Sequence, residues 1–161
     1  RQSRLKNVFR LACFSPHLVG SVFVGILFAA LFTPNYGLFN RGLHMLIGWG
    51  LEEQWLGDPR LVMPAIIIAS LWMYIGFNMI YFLAALQNVD QSLVEAARID
   101  GAGPFQTFMN VVVPSIKPVI VFVVVMSTIG SFNLFELPYA LLGGPYGPNN
   151  SGLTMIGYLY A

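Results

Sequence analysis

Three long stretches of this sequence carry no Lys, Arg, Asp or Glu, and they limit what the chain can fold into. They are Phe14–Phe32, Leu61–Leu86 and Val119–Phe135. A helix of about 20 mostly apolar residues, with roughly 17–25 tolerated, crosses the hydrocarbon core of a bilayer. Each stretch meets that length, the third at the short end. Only helices and closed barrels satisfy their own backbone hydrogen bonds in lipid, so Val, Ile, Gly and aromatic residues are ordinary in such helices. A soluble fold would have to bury all three runs. With 57% hydrophobic and 9% charged residues, against about a quarter charged in ordinary globular domains, too little polar surface remains to cover them.

A secretory signal fits poorly. Arg1, Arg4, Lys6 and Arg10 imitate its basic region, but the first run is long and further runs follow. The single Cys13 forms no internal disulfide, and a net charge of +1 offers no attraction for nucleic acid. The sequence lacks an initiating Met and stops at SGLTMIGYLYA, which reads as the entry to another apolar helix. Both ends therefore read as cut.

Charge sets the orientation. Six of the eight Lys and Arg residues lie in Arg1–Arg10 and Arg98–Lys117, and the other two, Arg41 and Arg60, lie between the first two runs. Positive residues are retained on the cytoplasmic side. The sequence thus predicts an all-α integral membrane protein with spans at about 14–32, 61–86 and 117–136. Its outer loop is 33–60, its cytoplasmic loop 87–116, and 137–161 forms a second outer loop and the start of a further helix. In the first outer loop, Thr33–Gly37 is turn-rich, and Asn40 is the expected cap of a short helix carrying Leu43, Leu46 and Ile47. Trp49 and Trp55 suit the half-wet membrane interface. Asp58-Pro59 reads as an N-cap followed by proline at the first helical position, and Pro64 as a possible kink.

The cytoplasmic loop is the informative part: QNVDQSLVEAARIDGAGPFQTFMNVVVPSIKP, residues 87–118. Ser92 and Glu95 have the spacing of a capping box, so a helix should open just after Ser92. Leu93, Val94, Ala96, Ala97 and Ile99 give it an apolar surface. Gly101 is placed to end it, and Gly103-Pro104 to start a second helix carrying Phe105 and Phe108 or Met109. This is a helix-turn-helix elbow with apolar faces that need a partner or the protein's own spans to cover them.

In its combined order the elbow resembles the EAA loop of the permease subunits of binding-protein-dependent ABC importers, specifically the carbohydrate-uptake branch related to maltose and glycerol-phosphate permeases. Glu95-Ala96-Ala97 looks like the EAA triplet, Arg98-Ile99-Asp100-Gly101-Ala102 like its continuation in the sugar branch. Phe105 and Phe108 take the aromatic positions, and Val113-Pro114 replaces the usual Leu-Pro. PNYGLFN at 34–40, WLGDPR at 55–60 and LLGGPYGPNN at 141–150 resemble outer segments of the same branch, with Gly143-Gly144-Pro145 in place of GGGP. The resemblance implies three central helices of a six-helix core, with at least two preceding helices and the last one missing or truncated.

It also implies a multi-pass subunit of the bacterial cytoplasmic membrane that moves a sugar-like solute. Its partners would be a cytoplasmic ABC ATPase dimer, a second permease subunit, identical or homologous, and an extracytoplasmic solute-binding protein. The coupling residues would be Glu95, Ala96, Ala97, Asp100, Gly101, Phe105 and Phe108. No GxxxxGK[ST] phosphate loop occurs here, so the chain is expected to be no enzyme and to bind no cofactor, with ATP and Mg on the partner. Asn78, Ser131, Asn133 and Glu136 are polar groups at or near membrane depth, where such groups face a cavity or hydrogen-bond between helices. Trp72, Tyr74 and Phe77 offer rings to a sugar face or pack the spans. His17 reads as a packing residue, and Met45, Met63, Met73 and Met79 show no metal-site spacing.

Four alternatives remain in view. A permease for amino acids, peptides or an oxyanion would share the elbow, as would a non-transporting scaffold subunit. A secondary transporter needs ion-coupling groups in discontinuous helices, yet no acidic residue lies mid-span. A membrane enzyme needs convergent reactive groups, and no HExxH motif is present.

Overall fold

A computed structural model describes residues 17–48, 52–144 and 146–160, and these are all-helical, with no strand among them. The basic N-terminus, Cys13, the first residues of the first apolar run, Trp49 and Pro145 lie outside the described residues. The described residues fall into two compact units. One takes the segments up to Gly76 and from Gly130 onward; the other is Phe77–Ile129.

The first unit opens with helix α1, Ser21–Leu31. Residues 17–19 are also helical, but Gly20 at φ 92°, ψ 152° separates them from α1. This conformation is open to glycine and strained for other residues. The expected span at 14–32 is therefore not one continuous helix over its described part. Hydropathy measures transfer into lipid and does not register a backbone break. Only two described helices are long and apolar enough to cross a membrane: α3, Pro59–Gln87, and α5, Pro104–Phe132.

Helix α2, Leu38–Ile47, follows a turn in which Gly37 N–H donates to Thr33 O at 2.8 Å. Asn40 is not its cap. The helix begins at Leu38, and Asn40, fully buried, donates from Nδ2 to Thr33 O at 3.4 Å and to Glu53 O at 3.1 Å. One amide thus ties both ends of the outer loop together. Asn40→Ala leaves two carbonyls without this donor and opens a void. It should destabilise the full-length subunit by about 1–3 kcal/mol, read as a lower unfolding midpoint in detergent. Trp55 is likewise not half-wet. It is buried, stacked on Phe32 at 5.4 Å and met edge-on by Phe39 at 5.2 Å.

Helix α3 starts where Asp58 Oδ1 accepts the Arg60 N–H at 2.9 Å, with proline supplying its first residue, and it continues through Pro64. Its buried stripe in this unit is Val62, Ala65, Ile66, Ala69, Met73 and Gly76, a spacing of three and four that keeps one helical face inward. Together with Val24, Phe28 and Phe32 of the α1 segment and Leu137 and Leu141, this stripe forms the core.

Leu137 and Leu141 belong to helix α6, Glu136–Leu142. The sequence reading placed residue 136 at the end of the third span and the following residues in a loop. Instead α5 ends at Phe132 and the chain returns as α6 against α1. Contact is close because Gly25 has no side chain: a Cβ there would lie 2.7 Å from Ala140 Cβ and 2.9 Å from Leu137 O. Beyond α6, Gly143 at φ 67° ends the helix. A 3-10 turn, Pro148–Asn150, leads to helix α7, Met155–Leu159, whose start is capped by the Thr154 hydroxyl accepting from Gly157 N–H at 3.2 Å.

In the second unit, Tyr81 sits between Phe77 at 5.2 Å and Phe122 at 5.5 Å. Helix α4, Gln91–Ile99, precedes α5. The sequence predicts a short elbow helix and then a separate span from 117, but Pro104–Phe132 is one helix of 29 residues. It passes through Pro114 and Pro118 and contains a π turn at Phe108–Val112. Pro114 has no N–H to offer the carbonyl four residues back, and its ring crowds that carbonyl. The wide turn immediately before it gives the backbone room, so the helix bends its pitch without ending.

Candidate functional site

The elbow is built from ends and caps. Asn88 closes α3 by donating from Nδ2 to Ala84 O at 3.0 Å, while Val89 beside it is buried. The chain restarts on Asp90, whose carboxylate accepts the Ser92 N–H at 2.9 Å. The expected box of Ser92 and Glu95 is not formed. The helix starts two residues earlier, so Ser92 already lies inside its first turn, and Glu95 is exposed with no hydrogen bond among the described residues.

The side-chain and then the backbone hydrogen bond with Ser92 hold the Asp90 carboxyl below its ordinary value. A lowered folded pKa means the cap contributes fully above the ordinary carboxylate range and is lost as pH falls through the lowered folded value. In the full-length subunit, Asp90→Ala should speed hydrogen exchange in the first turn of α4 at neutral pH. Asp90→Asn, which keeps an acceptor, should preserve most of the protection.

Helix α4 ends in a Schellman turn: Ala102 N–H donates to Ala97 O at 2.9 Å and Gly101 N–H to Arg98 O at 3.1 Å, with Gly101 at φ 82°. Gly103 N–H then donates to Gln106 Oε1 at 3.0 Å, with Pro104 first in α5. The buried Thr107 hydroxyl returns to Gly103 O at 3.1 Å. Both helices are thereby fixed on one rigid turn, and α4 packs on the 104–112 stretch.

This packing leaves apolar side chains outside. Ile99 is 86% and Phe105 72% exposed, and Leu93, Phe108 and Met109 are also exposed. Glu95, Ala96, Asp100 and Gly101 share that exposure, while Ala97 is half-buried. The elbow is thus a preformed turn that carries exposed acidic side chains beside exposed isoleucine and phenylalanine among the described residues. Sequence reasoning missed the parts played by Asp90 and Thr107. Asp90 was legible as a capping residue type, but the Ser92–Glu95 spacing outweighed it.

Of the polar residues expected along a solute path, Ser131, Asn133 and Glu136 lie together around the break between α5 and α6, all exposed. Glu136 Oε2 accepts a hydrogen bond from the Ser21 hydroxyl, next to the Gly20 break. Asn78 is half-buried on α3 in the other unit. The three rings have neighbours: Trp72 meets Phe28 at 5.4 Å, Tyr74 meets His17 at 5.9 Å, and Phe77 meets Tyr81.

The model of the binding-protein-dependent transport system inner membrane component family matches residues 1–159. The chain belongs to this family. Among curated relatives of this inner membrane component, the lactose transport system permease protein of Rhizobium radiobacter is 41% identical over 157 residues, covering 98% of this chain and 52% of the relative. The arabinooligosaccharides transport system permease protein of Bacillus subtilis (strain 168) is 36% identical over 157 residues, with 98% and 50% covered. An sn-glycerol-3-phosphate transport system permease protein of Yersinia enterocolitica is 35% identical over 158 residues, with 98% and 52% covered. The chain thus spans about half the length of the curated relatives it matches. The fold is similar to that in the crystal structure of a bacterial ABC transporter involved in the import of the acidic polysaccharide alginate. That likeness has a TM-score of 0.77 at 22% identity and covers 99% of this chain and 55% of the other.

Proposed function

We propose that this inner membrane component is part of the permease subunit of an ATP-driven importer for a sugar or sugar-like solute. The observation that carries the reading is the elbow between α3 and α5, with Ile99 and Phe105 exposed on it. Exposing such side chains has a cost unless a partner or the rest of the subunit covers them, and membership of this transport family favours a partner. In this reading the elbow docks in a groove of a cytoplasmic ABC ATPase dimer through Glu95, Ala96, Ala97, Asp100, Gly101, Phe105 and Phe108. ATP and Mg belong to that partner, and this chain contributes no catalytic residue. Closure of the ATPase shifts the permease between conformations through its unequal contacts with the two.

The relatives named for lactose, arabinooligosaccharides and glycerol phosphate support the sugar-like solute. The rest of the assembly in this reading is a second permease subunit, identical or homologous, an extracytoplasmic solute-binding protein and the lipid bilayer. Three spans cross it: α3, α5, and a first span of α1 plus the residues before Gly20. Asn78, Ser131, Asn133 and Glu136 line or brace the solute path.

The test uses the full-length subunit with its ATPase. Phe105→Ala removes an aromatic anchor, which at an interface costs about 2 kcal/mol or more, roughly thirtyfold in affinity. ATPase capture should fall by that factor and solute uptake with it, while membrane insertion is unchanged. Full capture by the Phe105→Ala, Ile99→Ala double variant would sink the docking surface. Full capture with no solute flux in the native complex would favour a scaffold subunit.

A further inference from the structure

Helix α2 has two faces, and among the described residues only one is packed. Inward, Phe39 meets Phe32 at 5.0 Å and Trp55 at 5.2 Å, Asn40 binds two loop carbonyls, and Leu43 packs on the core. Outward, Leu38, Gly42 and Met45 stand at i, i+4 and i+7, one stripe on the helix surface. Leu38 is 70% and Met45 89% exposed, and Leu46 beside them is exposed as well. Arg41 is the exposed cation on this side.

The attachments of α2 fix where it lies. Its inward ring contact is to Phe32, the residue that caps α1, and its amide holds the carbonyl of Thr33, the next residue. Its other neighbour, Trp55, lies four residues before Pro59, where α3 begins. Both fastenings are at points where the chain leaves one apolar helix and enters the next. With the spans placed in the bilayer as proposed above, on which this inference rests, α2 is pinned at the outer edge of the hydrocarbon.

We propose that α2 is an interfacial helix whose Leu38–Gly42–Met45 stripe, with Leu46, lies among the headgroups and upper acyl chains of the outer leaflet. Helices of this kind bury an apolar face about 5–10 Å into the headgroup and acyl boundary. Arg41 suits the same level, its stem along the apolar surface and its guanidinium at the lipid phosphates. With one arginine on this side, the hold is mainly apolar and does not depend on anionic lipid.

The test places an environment-sensitive NBD fluorophore at Met45→Cys in the full-length complex, on a background without other cysteines, in zwitterionic vesicles. A second label at Leu71→Cys, on the exposed side of α3, reports the spans themselves. The expected result is blue-shifted emission from position 45, quenched by lipids bearing a nitroxide on the headgroup or upper chain. Aqueous iodide should have little effect. Quenching by iodide alone overturns the proposal, and so does shielding from both quenchers, which would mean that protein covers the stripe. If Leu71 fails to respond to deep nitroxide lipids, the membrane layout itself fails, and the inference falls with it.

Discussion

A full-length subunit carrying Gly25→Leu is expected to unfold far more readily than the native protein. A Cβ at this position would stand 2.7 Å from Ala140 Cβ, 2.9 Å from Leu137 O and 3.0 Å from Leu141 N. Two of these neighbours are backbone atoms of α6, which cannot rotate aside. Leucine would therefore push α6 away from α1 and open the contact that closes the core. Overpacking typically costs about 1–3 kcal/mol and occasionally more, and helix pairs in membranes rely on small residues for close approach. Gly25→Ala should show a smaller effect of the same sign. Gly130→Ala is the control: it lies inside α5 with nothing within 4 Å of its added Cβ, so it should be neutral or slightly stabilising. Thermal unfolding of the three variants in detergent reads the order directly. Equal midpoints for Gly25→Leu and Gly130→Ala would mean that the close approach of α1 and α6 does not exist.

The second large effect is expected at Gly101. No atom lies within 4 Å of a Cβ built there, but φ is 82°, so a substitution is limited by backbone conformation and not by space. An L-residue in the left-handed region costs about 1–2 kcal/mol, less for asparagine. Proline is worse, since it fixes φ near −65° and removes the N–H that donates to Arg98 O. ATPase capture should therefore decline in the order Gly, Asn, Ala, Val, Pro, with Gly101→Pro abolishing capture while the subunit still inserts. A steric role would give a different order, set by side-chain volume, with valine worse than proline. Measuring capture across the five residues separates the two explanations.

Much of this was legible in the sequence because the signals are local. Asp58-Pro59 marked the start of α3, and Gly101 and Gly103-Pro104 marked the two sides of the elbow turn, since each depends on a residue's own backbone preferences. The misses have a common cause. Gly20 and the Phe132–Glu136 turn interrupt apolar sequence without changing its hydropathy, so the first and third runs read as simple spans. The third span was expected from 117, yet α5 runs on from Pro104 because the π turn before Pro114 absorbs that proline's clash. Asn40 and Trp55 looked like a cap and an interfacial ring. Their true positions depend on partners 13 and 23 residues away, Glu53 and Phe32, which local pattern does not reveal. The exposure of Ile99 and Phe105 was legible only as apolarity; the structure adds that the described residues leave them uncovered.

The π turn at Phe108–Val112 has one more consequence. Relative to an ordinary α-helix it accommodates one extra residue, and one residue corresponds to about 100° of rotation. The turn therefore works as a phase shifter between Phe105 and the apolar residues beyond Pro114. Were the same residues forced into a regular α-helix, the elbow's aromatic face would turn by roughly a quarter circle, whereas deleting one residue within the turn would regularise the helix and keep that face in register. The widened turn, more than the identity of its five residues, decides which way Phe105 points relative to the residues beyond Pro114.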